Sequence, residues 1–100
     1  MIEVSDNPDR SRYEIRVDGE LAGYALYARR ARRVILVHTE IDGGFEGRGL
    51  GSKLATGVLD DIRSRGLMVV PLCPFMASYI ERHPEYGDLV DAAALAALED

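Results

Sequence analysis

Glu46-Gly47-Arg48-Gly49-Leu50-Gly51-Ser52-Lys53 is the stretch that decides the fold, with three glycines in five positions. Before it runs an apolar segment, Val34 to Ile41. After it, Leu50, Leu54, Ala55, Val58, Leu59 and Ile62 recur at helical spacing, with Lys53, Thr56, Asp60, Asp61 and Arg63 largely on the opposite side. The glycines therefore join a strand to the N-terminus of an amphipathic helix. Glycine lets the backbone approach a ligand closely, and the first N–H groups of a helix have no internal partner. Those donors and the helix dipole favour an anion, most naturally a phosphate, and Arg48 and Lys53 add positive charge. Two readings stand at this point: a phosphate cradle, or a tight connection that packs helix against sheet. The G-x-x-x-x-G-K-[ST] spacing of a P-loop is absent, and the glycines do not form G-x-G-x-x-G at the strand's end.

Upstream of this loop the period is two. Ile2 and Val4 alternate with charged neighbours, and Ser5-Asp6-Asn7-Pro8-Asp9 makes a turn-rich break. Tyr13, Ile15 and Val17 alternate with Glu14, Arg16 and Asp18, the pattern of a half-buried strand. Asp18-Gly19 predicts a tight hairpin. Leu21 to Ala28 and Val34 to Ile41 are apolar on both sides, which predicts two central strands covered on both faces. Downstream, Gly66 predicts a helix stop, and Leu67-Met68-Val69-Val70 a short buried strand with a parallel partner. Pro74 suits the first position of a second helix, and Asp91 to Leu98 can form a third that only packs. The order is β-β-β-β-α-β-α-α, a mixed α/β sheet in one domain spanning residues 1–100.

Composition bounds the function. Hydrophobic residues make up 47% and charged residues 29%, as in an ordinary globular domain. The single cysteine, Cys73, excludes an internal disulfide framework and fits a reducing, cytoplasmic setting. His38, Cys73 and His83 fall at no familiar zinc-ligand spacing, so no metal is expected. A net charge of −5 argues against a nucleic-acid binder. The longest apolar run, Leu67 to Ala77, is too short for a bilayer and holds two prolines, and without a basic, apolar opening no secretory leader is expected.

Several stretches together resemble the GNAT superfamily of N-acetyltransferases, in particular its short GNAT-like subfamily of YjdJ-type, N-acetyltransferase-domain-containing proteins. They are Arg12-Tyr13-Glu14-Ile15, Asp18-Gly19-Glu20-Leu21-Ala22-Gly23-Tyr24, His38-Thr39-Glu40, the glycine loop, Pro71-Leu72-Cys73-Pro74-Phe75, and His83-Pro84-Glu85-Tyr86. The resemblance implies a minimal acyl-CoA N-acyltransferase fold, acetyl-CoA as cosubstrate, and an amine acceptor such as a protein lysine or terminal amine. It places Thr39, Ile41, Glu46, Gly47, Arg48, Gly49, Gly51, Ser52, Lys53, Cys73 and Phe75 along the coenzyme. Two departures from larger GNAT enzymes are visible. Glu46 stands at the usual Arg/Gln position, and the N-terminal helices that normally build much of the acceptor site are missing. The alternative is a coenzyme-A-binding sensor or interaction module without catalysis.

Acetyl transfer to an amine needs a base for the amine proton and an acid for the departing thiolate. His38 and Glu40, two residues apart, share a strand face, and either could take the proton. Each has a plain structural reading too, as a hydrogen-bonded histidine and a solvated or arginine-paired carboxylate. Tyr79 matches the tyrosine that lies near the coenzyme sulfur in GNAT enzymes; a core aromatic is the other reading. Cys73, expected at a helix N-terminus, suits either a thiolate that relays the acetyl group or an inert buried thiol; direct transfer is preferred. Phe75 and Tyr86 read as core or pantetheine-wall aromatics. Arg29-Arg30-Arg32-Arg33 begins the strand that ends at the glycine loop, about 25 Å away at 3.3 Å per residue, too far to help there. A solvated hairpin tip, or a dock for an acidic partner, accounts for it.

Overall fold

In the computed structural model, which describes residues 1–99, the chain forms β1 (Ile2–Asn7), β2 (Arg12–Val17), β3 (Glu20–Arg30), β4 (Arg33–Ile41), α1 (Leu50–Ser64), β5 (Met68–Pro71), α2 (Pro74–Arg82) and α3 (Ala92–Glu99). This is the expected order; residue 100 lies outside the described residues. The strands lie in sequence order in one sheet. The first four pair antiparallel, and β5 pairs parallel to β4. A parallel neighbour requires a crossover, which α1 supplies.

Local chemistry accounts for the joints. Asp18 and Gly19 both take positive φ, 50° and 85°, the combination that lets a two-residue turn follow the twist of its strands. Gly66 leaves α1 at φ 68°. The apolar stripe of α1 (Leu50, Leu54, Ala55, Val58, Leu59, Ile62) is wholly buried against Tyr13, Ile15, Leu36 and Val69. At Gly57 a Cβ would come within 2.7 Å of Val4, so glycine is what lets α1 lie down on β1. Tyr13 donates to Asp61 (2.7 Å) and Tyr86 to Asp60 (2.8 Å), fixing α1 to the sheet and to the turn at Pro84–Leu89. Burial, then the acceptor carboxylate, raises both phenols, Tyr86 to about 12, so both stay protonated donors at neutral pH.

The expectation that β3 and β4 are covered on both faces fails for the second half of β4. Val37 is 50% exposed, and the His38 and Glu40 side chains are 52% and 58% exposed. The reason is a one-sided cover: α1 and α2 share a single face of the sheet, here called the helix face. The opposite, open face carries Arg12, Glu14, Tyr24, His38 and Glu40, and α3 lies over its other end, beside Ile35 and β5. No described helix is long and apolar enough to cross a membrane.

Candidate functional site

Two irregularities in β4 shape the site. Opposite β3, Leu26 pairs with His38 but Tyr27 pairs with Leu36, so Val37 is an extra residue and the strand bulges there. On its other edge, β4 loses its partner: the last β5 register pair is Leu36 with Pro71. The N–H groups of Leu72 and Cys73 both reach the Leu36 carbonyl, at 3.0 Å each, and the chain then swings into α2. Residues 37–41 therefore line a gap between β4 and the start of α2. Pro71 and Pro74 explain the parting, since neither supplies an N–H to continue a ladder.

The helix-face wall of this gap holds Cys73 and Thr39. Cys73 is the N-cap residue of α2, is 3% exposed, and its Sγ lies 3.4 Å from Thr39 Oγ1. Further out, Ile41, Phe45 and Phe75 lead to the glycine loop. These three and Glu46, Gly47, Gly49, Leu50, Gly51 and Ser52 surround a hollow of about 220 Å³. Gly47 (φ 82°) and Gly49 (φ 70°) hold backbone that other residues rarely adopt. Gly51 lies against Phe75, whose ring would sit 3.0 Å from any Cβ. Gly49 is the N-cap of α1 and gives it no side-chain bond; the first return bond is Lys53 N–H to the Gly49 carbonyl, 3.3 Å. The amides of Leu50, Gly51 and Ser52 are thus left to an external acceptor at the mouth of the hollow. Arg48 is exposed with its guanidinium 5.4 Å from the Phe45 ring centre. Lys53 lies on the flank of α1, bordering a separate hollow with Ile2, Val4 and Thr56.

His38 and Glu40 do share a face, and it is the open one, opposite Thr39 and Cys73. His38 Nε2 is 3.4 Å from Glu40 Oε1, and Tyr24 donates to Glu40 Oε2 at 3.2 Å. Tyr24 has the Arg12 guanidinium 5.0 Å over its ring, and Arg12 Nε bonds Glu14 at 2.7 Å. Desolvation and then the Glu40 carboxylate raise the Tyr24 phenol, which keeps it a donor. Tyr79 belongs to neither face of the gap. It is buried between α1 and α2, its hydroxyl 2.6 Å from Thr56 Oγ1 and its ring stacked 3.9 Å from His83. The candidates therefore fall into three groups: Cys73 with Thr39, His38 with Glu40, and Tyr79 in the helix–helix seam. Among the described residues, no group of three or more His, Cys, Asp or Glu side chains could hold a metal ion.

Sequence reasoning missed Tyr24, Phe45 and the Val37 bulge. Tyr24 and Glu40 are cross-strand neighbours only in the bulged register, and no local pattern marks that extra residue. Phe45 follows Gly43-Gly44 in a short turn capped by Asp42, whose side chain accepts from the Gly44 N–H at 3.0 Å. An Asp-Gly-Gly-Phe turn was the one available signal.

The fold as a whole is similar to that of solved structures. The NMR solution structure of a GCN5-like protein from Staphylococcus aureus aligns over 88% of this chain and 86% of its own, with a TM-score of 0.67 at 20% identity. N-acetylglutamate synthase from Neisseria gonorrhoeae, solved with coenzyme A and N-acetyl-glutamate, aligns over 82% of this chain and 22% of its own, with a TM-score of 0.58 at 15% identity. These likenesses define the fold class, that of GNAT acetyltransferases. The family follows from sequence: the GCN5-related N-acetyl-transferase model (Acetyltransf_CG) matches residues 12–89, and the chain belongs to that family. Protein NATD1 of Gallus gallus and of Mus musculus is each 27% identical over 85 residues, covering 83% of this chain and 77% of theirs.

Proposed function

We propose that the protein binds acetyl-CoA along the β4–α2 gap and transfers its acetyl group to an amine presented on the open face of the sheet. The observation that carries this reading is the uncapped start of α1. The N–H groups of Leu50, Gly51 and Ser52 border a hollow whose glycines keep side chains out of the way. These donors suit a pyrophosphate, and Arg48 stands at hand for further charge. Ile41, Phe45 and Phe75 supply apolar walls for a pantetheine arm, and Thr39 and Cys73 border the inner end of the gap. The residues fit the coenzyme. When bound, it supplies the acetyl group as a thioester.

On the open face, Glu40 receives the proton of the incoming amine, directly or through water, held by Tyr24 on one oxygen and close to His38 on the other. Residues on the two faces thus divide the work, with the coenzyme on the helix face and the amine on the other. The burial of Cys73 and its contact with Thr39 favour direct transfer over an acetyl-cysteine relay. Tyr79 is spoken for by Thr56, which favours a packing role over proton donation to the thiolate. Because no described helix covers the His38–Glu40 surface, a protein lysine or terminal amine suits it better than an enclosed metabolite. The same openness supports a second reading, a coenzyme-binding module without catalysis.

The two readings separate in an assay of acetyl transfer to a lysine peptide. The enzymatic reading expects turnover, and Glu40→Gln should lower kcat by about 10²-fold or more while coenzyme A still raises the melting temperature of the variant. Coenzyme binding with no transfer to any peptide or small amine would leave the module.

A further inference from the structure

We propose that the hollow between α3 and the β3–β4 hairpin docks an acidic, apolar segment of a polypeptide acceptor, about five residues from the amine to be acetylated. This rests on the acetyltransferase reading above, because it places the docking segment relative to Glu40. The hollow, about 420 Å³, is lined by Ile35, Ala94, Ala97 and Leu98 with Arg30 and Arg33 at its rim. Leu98 is 51% exposed, and α3 offers almost nothing but alanine and leucine over its length. A helix of that composition leaves apolar surface exposed unless something lies on it.

Charge complementarity selects the occupant. The chain carries net charge −5, yet four of its twelve Lys and Arg residues, Arg29, Arg30, Arg32 and Arg33, crowd the hairpin beside this hollow. Asp91 takes up one of them, bonding Arg33 Nε at 2.7 Å, and its other oxygen accepts from the Ala94 N–H at 3.0 Å. That contact braces the start of α3 against the hairpin. Arg30 and Arg33 stand at the rim of an apolar floor, with Arg32 on the turn that joins them, a surface suited to a segment that mixes carboxylates with leucine-like side chains.

Position makes it part of the acceptor path. Ile35 shares the open face with His38 and Glu40, and Val37, half exposed, stands between them along β4. From Ile35 to Glu40 is roughly 17 Å at 3.3 Å per residue, the reach of about five residues of extended peptide. An acceptor chain laid along this face reaches both places at once.

The test uses the full chain and a labelled synthetic peptide with one lysine and an Asp-Leu-Leu-Asp segment about five residues away. The control peptide has serine throughout that segment. Anisotropy should show the acidic, apolar peptide binding roughly tenfold or more tightly than the control. Arg30→Glu combined with Leu98→Asp should erase the difference, and Arg30→Glu alone should reduce it. Both side chains are exposed, and an unchanged melting temperature certifies the fold. Equal affinity for the two peptides, including no measurable affinity, overturns the proposal. So does a wild-type dimer in sedimentation that Leu98→Asp dissociates, because a second copy then fills the hollow. Binding needs no chemistry: a protein that discriminates the peptides but transfers nothing sinks only the catalytic reading. One that acetylates both peptides alike sinks only the docking surface.

Discussion

Glu14 shows how single side chains on the open face are held in place. It is 4% exposed, and its carboxylate accepts from Arg12 at 2.7 Å, Arg16 at 3.0 Å and Asn7 at 3.1 Å. The Arg12 bond above all holds its carboxyl below the usual carboxylate range. A group whose folded-state pKa is depressed adds stability that is complete above its unfolded value, about 4.3, and is lost as pH falls toward the folded one. Glu14→Gln should therefore cost about 2 kcal/mol at neutral pH. Urea titrations at decreasing pH should find that the gap between wild type and variant narrows below about pH 4. A gap that is constant with pH would mean that the carboxylate's charge is not what stabilises. Since Arg12 also stands over Tyr24, which bonds Glu40, the same pair steadies the proposed base. Glu14 reads from sequence as a solvent-facing member of an alternating strand. Its burial comes from partners on two strands and could not be seen in a local pattern.

At the level of elements, the joint between β4 and α1 was the most legible part of the molecule. Glycine spacing marked the turn, the 3.6-residue stripe marked α1, and the proline pair marked where β5 gives way to α2. What the pattern hid was the consequence of those prolines: β4 runs on to Ile41 after its partner has left, so apolar composition did not mean two covered faces. The role of the loop can be tested apart from its backbone strain. Gly49 has φ 70°, so both Gly49→Ala and Gly49→Glu should lose about 1–2 kcal/mol of stability from the left-handed conformation. Only the glutamate places a negative charge where a pyrophosphate would sit. Calorimetric titration with coenzyme A should find binding abolished in Gly49→Glu and within a few-fold of wild type in Gly49→Ala. Unaltered binding in the glutamate variant would put the phosphates elsewhere.

For the whole molecule, the arrangement of helices is the feature with the most consequence. Both α1 and α2 pack on one face, and the opposite face keeps Glu40, His38 and Tyr24 open to a partner. Element order and sheet class were readable from periodicity, because each strand and helix carries its own burial pattern. The division of candidate residues between two faces was not, because it depends on a bulge and on which side each helix lands. The central claim, that this small domain is built around a coenzyme, is tested most directly by thermal melting with and without coenzyme A. Ligand at about 100 times its dissociation constant adds roughly 2.7 kcal/mol to stability. In a domain of this size that should raise the Tm on the order of 10 °C. No shift at millimolar coenzyme A would contradict the account.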